Sequence, residues 1–437
     1  MIQNIMEENK LLTDFLDYCK LLLTQEEFTD RINQIRAEYY KAKTSPIILP
    51  NKHQKLEKTF ISFHELINDI PAWYLWQVQS YIEKPYECDL GLAARTIPKI
   101  LRIAESLDIL KQLKGFEKKI LLMLKKNNRD IDSTLYEILV ACTYLRNNAR
   151  DIIFISDEDR NKHPDLQVEY NGILFVECKR KKKESDYSRK EREEWYYQYL
   201  PVQDYLEKNK ISLVIKCTFH NEIHTYEKDY LYYLFLDNYD FLKNGNVINN
   251  AEITLETYIP DFKSVNSKDE TIWKVYTPYF TSRIFKHYDN LYGVTSAYAA
   301  KERDQIYDHV SNIIYACAGL WYCDSPDAIK HRSISFKRHI SDAVSQIPQD
   351  QNGAIHICFE SYEGINVEDE NFLRTLADLW DFKIDGKKID YIYLDFIRLY
   401  ISLNNNWELE EDVIPLVANN YNENQYLRKP HVLGLYY

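Results

Sequence analysis

Over the first part of the chain apolar residues recur at the spacing of a helical face. Leu12, Phe15, Leu16, Cys19 and Leu23 follow that spacing, and Ile32, Ile35 and Tyr39 repeat it. The segment TSPIILPNKH, with Pro46 and Pro50, breaks the pattern. Helical patterns return in PAWYLWQVQSYIEK and LAARTIPKILRIAESLDILKQL, and Gly115 opens a short helix in GFEKKILLMLKK. Residues 1–126 therefore read as a mostly helical domain for packing or partner contact, without an acid–base cluster of its own.

The pattern changes at about residue 130. IDSTLYEILVACTYLRNNA predicts a helix, with Asp132 or Ser133 as N-cap. DIIFIS predicts a short buried strand. DLQVEY and ILFVECK flank Asn171-Gly172, the strongest short hairpin signal. SRKEREEWYYQYL predicts a helix interrupted by Pro201, and SLVIKCTF another strand. The order is α-β-β-β-α-β, the pattern of an α/β fold with a mixed central sheet.

Beyond residue 225 the pattern is harder to assign. DYLYYLFLDNYDFL fits helix and strand alike. Ile306, Val310, Ile313, Ile314 and Cys317 predict a helix from Ala299 to Leu320. The α/β pattern then resumes with a helix in ISDAVSQI, a strand in GAIHICFE, a helix in ENFLRTLADLWDF and a long strand in DYIYLDFIRLYI. These elements are expected to extend the same sheet, so that 127–437 forms one domain with an insertion at about 225–330.

Composition sharpens this picture. At 437 residues with 45% hydrophobic content, the chain can build more than one core. The formal net charge of −12 opposes general attraction to nucleic acid, so any such contact needs a local basic groove. The eight cysteines form no CxxC pair and mostly sit in apolar runs, which predicts free core thiols rather than a disulfide framework or a zinc ribbon. MIQNIMEENK lacks the features of a signal peptide, and no run approaches the ~18 apolar residues of a membrane span. The expected location is cytoplasmic. No P-loop GxxxxGK[ST] occurs.

The chemistry concentrates in HPDLQVEYNGILFVECKRKKK. Asp165 begins one hairpin strand, and Glu177 and Lys179 end the other on a common face. Two carboxylates can hold a hard divalent cation. Such a cation polarises a phosphate and activates a bound water, and a neighbouring ammonium offsets developing charge. A two-residue hairpin loop would set Asp165 opposite Cys178, on the wrong face, so this reading needs a bulge or a strong twist. Glu137 is the only charged residue between Leu135 and Leu145, a costly position unless a metal or a base compensates it. A salt bridge to Lys or Arg is the plainer account of it. The basic run that follows offers Arg180, Lys181, Lys182, Lys183, Arg189, Lys190 and Arg192 to a phosphate backbone, with Tyr187, Trp195 and Tyr196 available to stack on bases. Its interspersed acids suit a solvated face equally well.

Together these residues resemble the PD-(D/E)xK nuclease superfamily, which includes restriction, repair and anti-phage enzymes. Pro164-Asp165 matches its PD element, Glu177-Cys178-Lys179 its ExK, and Glu137 its acidic helix residue. The resemblance covers 130–220 and more loosely 335–400. It implies an αβββαβ core and Mg²⁺, with Mn²⁺ as substitute, held by Asp165, Glu177 and the Cys178 carbonyl, with Glu137 as a further ligand. Lys179 would assist the attacking water. It also implies a Gln or basic residue on the next helix, for which Gln198 is the first candidate and Gln203 and Gln346 are others. His163, just before the motif, is placed to touch a phosphate. The implied function is a metal-dependent nuclease, more readily of DNA than of RNA, in prokaryotic defence or restriction. The alternative is a catalytically silent nucleic-acid-binding or partner-dependent scaffold subunit, and the N-terminal helices are the candidate surface for a homo-oligomer or a partner protein. His220 and His224 read as surface residues, Cys317 and Cys323 as core, and Asp395 as a structural partner of Arg398.

Overall fold

The computed structural model describes residues 2–44, 68–155, 163–181, 185–262, 266, 273–274, 277–286, 292–304, 309–333, 337–361, 365–380, 384, 386–401, 407–420 and 422–434. The N-terminal region contributes α1 (Ile2–Leu23), α2 (Gln25–Thr44), α3 (Ile70–Glu83), α4 (Leu90–Glu105), the single turn α5 (Leu107–Leu110) and α6 (Phe116–Leu124). Asp69 and Asp89 cap α3 and α4 by accepting from the amides of Ala72 and Leu92, each at 3.1 Å. The break expected around Pro46 and Pro50 lies outside the described residues.

Next come α7 (Ile131–Arg146), β1 (Asp151–Phe154), β2 (Leu166–Glu169) and β3 (Ile173–Lys181). Asp130, rather than Asp132 or Ser133, occupies the N-cap of α7. Then follow α8 (Asp186–Lys208), β4 (Val214–Phe219), α9 (Tyr230–Asp237), α10 (Tyr239–Leu242), β5 (Val247–Asn249), β6 (Ile253–Tyr258), β7 (Trp273–Lys274), α11 (Pro278–Phe285), β8 (Gly293–Asp304), β9 (His309–Cys323) and α12 (Pro326–Arg332). The chain closes with α13 (Lys337–Gln346), β10 (Asn352–Ser361), α14 (Ile365–Trp380), β11 (Lys388–Ile401) and β12 (Trp407–Val417).

Two mixed sheets result. The first has the order β1-β2-β3-β10-β11-β12, with β1 to β3 an antiparallel meander, β3, β10 and β11 parallel, and β12 antiparallel. The second has the order β5-β6-β4-β9-β7, with β8 also paired to β9. The protein is therefore mixed α/β with a helical N-terminal region. Strand β4 lies in the second sheet, not in one sheet with β1 to β3 as the sequence pattern suggested. The neighbour of β3 is β10, preceded by α13, so the chain leaves the first sheet at α8 rather than at 225.

Two further expectations are corrected. The described residues between Ala299 and Leu320 form the end of β8 and most of β9. From Ala316 onward strand β9 is buried on both faces, Ala316, Ala318 and Leu320 on one and Cys317 and Cys323 on the other, so that apolar run has no period-two alternation. Of the five residues behind the helical expectation, Ile306 lies outside the described residues. Helix α8 also runs through Pro201. Trp195, Tyr199, Val202 and Leu206 anchor its buried stripe in a core against the second sheet, which offsets the hydrogen bond that proline removes.

The two faces of the first sheet carry different cores. One core joins Leu12, Phe15, Trp73, Ile100, Phe116, Ile120 and Leu139 to Val168, Val176, Tyr393 and Leu433. It runs without a break from the N-terminal helices through α7 to the sheet. On the other face Ile340 and Ala343 of α13 and Ile347 just after it pack on Ile355, Ile357 and Leu394, with Phe175 against them. Among the described residues no helix is long and apolar enough to cross a membrane.

Candidate active site

The hairpin loop sets the site. Strands β2 and β3 pair Glu169 with Ile173 and Leu166 with Val176. The loop thus contains Tyr170, Asn171 and Gly172, one residue more than the Asn-Gly signal suggests. Asn171 and Gly172 both take positive φ, +49° and +123°, and the Tyr170 amide bonds the Gly172 carbonyl at 2.9 Å. The extra residue shifts the register by one. Continued past Leu166, the ladder brings Asp165 level with Glu177 rather than Cys178, so no bulge is required. The Asp165 carbonyl accepts from the Ile155 amide at 2.9 Å, and its Oδ2 accepts from the Cys178 amide at 2.7 Å.

Alternation along β3 sends Leu174, Val176 and Cys178 into the core beneath the N-terminal helices, and Phe175 toward α13. Glu177 and Lys179 share the parity of Phe175. Glu177 is 1% exposed and Lys179 Nζ donates to its Oε1. The other oxygen, Oε2, is buried with no hydrogen-bond partner in the protein. Burial, then Asp165, then Glu137 push the Glu177 carboxyl up to about 9, against the pull of Lys179. Burial alone would lower the Lys179 ammonium, but Glu177 and Asp165 outweigh it and hold its pKa above the ordinary lysine value. Burial, Asp165 and Glu137 likewise raise the Cys178 thiol.

Glu137 enters from α7 and pairs with Lys119 of α6. This is the salt bridge that the plainer reading required. Its carboxylate nevertheless lies within electrostatic reach of both Glu177 and Cys178. The structure thus sets Lys179 on Glu177 and Asp165 on the adjoining Cys178 amide, with Glu137 within electrostatic reach, and adds Lys119 beside Glu137. The sequence carried a signal for that lysine, because it falls inside the apolar stripe of Phe116, Ile120 and Met123.

Among the described residues no three His, Cys, Asp or Glu side chains surround a common point as a metal cage. The donor chemistry still fits a cation. Asp165 lies within electrostatic reach of Glu177, one Glu177 oxygen is buried and orphaned, and a carboxyl held up at about 9 by burial and then by Asp165 is relieved by added positive charge. Asp165, Glu177 and the Cys178 carbonyl are the atoms that would hold it.

The basic run divides. Arg180 does not face solvent. Its side chain is 6% exposed and pairs with Asp132 at 3.0 Å and Glu360 at 2.8 Å. Arg95 and Lys99 of α4 bind the same two carboxylates, with Arg95 2.7 Å and Lys99 3.1 Å from Glu360. Burial alone would raise Asp132, but Lys99, Arg180 and Arg95 hold its carboxyl below the usual range. Lys181 is half-buried, and Lys182 and Lys183 lie outside the described residues. Arg189, Lys190 and Arg192 are exposed on α8, Arg189 beside Asp186 at 3.3 Å.

Trp195 is fully buried, stacked between Tyr199 and Trp321, and Tyr196 packs against the same core, so the expected base-stacking row is not an open one. Gln198 is buried beside the second sheet, bonded to the Glu227 carbonyl at 2.7 Å and the Leu231 amide at 3.0 Å, where it holds structure. Gln203 bonds Glu207 on the surface of α8, and Gln346 ends α13. His163 is half-buried just ahead of Pro164.

Sequence reasoning missed His339 at the start of α13, whose pKa is lowered by burial and then by Lys181 and Lys179. Asp395 pairs with Tyr136 and lies 3.7 Å from His356, while Arg398 pairs with Glu410 and Asp412. His220 is held by Asp324 and Thr254. None of the eight cysteines is in a disulfide, and all are buried. Comparison of the chain with protein-family models, with curated proteins and with solved structures gave no match.

Proposed function

We propose that this protein is a metal-dependent nuclease that hydrolyses phosphodiester bonds, with DNA its favoured substrate and Mg²⁺ its cofactor. The observation that carries the reading is the register of the β2–β3 hairpin, which sets Asp165 level with Glu177 while Lys179 reaches the same carboxylate. A bound Mg²⁺ would supply Lewis acidity and lower the pKa of a coordinated water. Asp165 and Glu177 would hold that ion. The Cys178 amide orients Asp165, and the burial of Glu177 keeps bulk water from its inner oxygen. Lys179 Nζ would orient the attacking water and offset charge as the phosphate is attacked. Lys181 and Arg338, the latter in the first turn of α13, would offer positive charge to an approaching phosphate backbone, while burial and these cations keep the His339 imidazole toward its neutral form. The test is cleavage of plasmid, linear duplex and RNA with Mg²⁺, Mn²⁺ or EDTA. Hydrolysis that needs a divalent ion supports the reading. No hydrolysis of any substrate at any metal concentration overturns it.

A further inference from the structure

The N-terminal helices were expected to stay out of the chemistry, yet one of their side chains reaches the acidic cluster. Lys119 is 7% exposed and its ammonium contacts Glu137. Its placement is built into the backbone. Gly115, just before α6, takes φ +89°, and a Cβ there would come within 2.4 Å of the Phe154 carbonyl. The Phe154 amide bonds the Lys114 carbonyl at 3.0 Å, so the start of α6 is fastened to the edge strand β1. Phe116 packs on Phe154 with ring centroids 5.8 Å apart. One turn later, with its amide on the Gly115 carbonyl at 3.1 Å, Lys119 faces α7 and Glu137. An amide-to-carbonyl clamp, an aromatic contact and a glycine without room for a side chain together hold this one lysine in place.

Resting on the nuclease reading above, we infer that Lys119 is a resident cation of the site that pairs with Glu137 and limits it to a single divalent ion, bound by Asp165 and Glu177. Without an ammonium at Glu137, a third carboxylate within reach of Glu177 would create room for a second ion or bind the first more tightly. With it, the charge is met from within the chain. Lys119 is thus a positioning residue that acts on the site through Glu137. The N-terminal helices belong to the site because they deliver it.

Calorimetric titration of the full chain with Mn²⁺ in the absence of nucleic acid tests this. Wild type is expected to bind one Mn²⁺. Lys119→Met should bind a second, or bind the first roughly tenfold more tightly. Lys119→Arg should behave as wild type, and the double variant Lys119→Met with Glu137→Gln should return to one ion at wild-type affinity. Circular dichroism checks folding. If Lys119→Met does not fold, Lys119→Gln, which keeps a donor to Glu137 and removes the charge, gives the same comparison. A Lys119→Met protein that folds and binds Mn²⁺ with wild-type stoichiometry and affinity overturns the inference and leaves the nuclease reading intact. A wild type that binds no Mn²⁺ overturns both.

Discussion

At the scale of single residues the site depends on how β3 alternates. Glu177 and Lys179 sit one pleat apart and bond each other, whereas Arg180 turns to the opposite face and is used up in an internal ion cluster. A role for Lys179 in the chemical step predicts that Lys179→Ala lowers the cleavage rate by roughly 10²–10³ while duplex binding in a mobility shift persists. A cleavage rate equal to wild type would remove Lys179 from the mechanism.

Glu177 also predicts a pH effect in chelated protein. Its folded-state pKa stands above the unfolded one, so its contribution to stability is complete below the ordinary carboxylate range. That contribution is lost as pH rises toward about 9. With EDTA present, the Tm of wild type should therefore fall more between pH 5 and pH 9 than that of Glu177→Gln, as thermal melts would record. Parallel pH profiles would show that Glu177 is ordinary in the folded chain.

At the scale of elements, the ion cluster ties α4, α7, β3 and β10 at the end of the sheet that carries the site. Glu360, on β10, receives Arg95, Lys99 and Arg180. Glu360→Gln leaves buried cations uncompensated and should cost about 3–5 kcal/mol in urea unfolding. Asp412→Asn, at the more exposed pair with Arg398, should cost about 0–1 kcal/mol. Equal losses would mean that the cluster does not brace the sheet.

What was legible at this scale follows from locality. The hairpin, its two strands and the parity of Glu177 and Lys179 come from neighbours in sequence, and all could be read. The loop length was misread by one residue, because Asn171-Gly172 looks like a whole turn while Tyr170 belongs to it too. Strand β4 was placed in the wrong sheet because its apolar run suits any buried strand. Only its pairing with β6 and β9, far along the chain, decides the matter.

At the scale of the whole molecule the N-terminal helices and the first sheet share one core, from Leu12 to Leu433. This continuity could not be read from periodicity, which shows that a helix has an apolar face but not what covers it. Glu360 as a partner of Arg95 was equally hidden, since 265 residues separate them. Removal of residues 1–126 should therefore abolish folding of the sheet rather than release a working domain. The expected result is insoluble protein, or soluble protein without a cooperative melt. A truncated chain that melts cooperatively would show that the core divides.

The central claim, that Asp165 and Glu177 form one cation-dependent hydrolytic centre, has its most direct test in the rate of duplex cleavage at saturating Mg²⁺. Wild type, Asp165→Ala and Glu177→Ala would be compared on one labelled substrate. The account predicts cleavage by wild type that EDTA stops and that each substitution abolishes. Cleavage that survives both substitutions at the wild-type rate would contradict it.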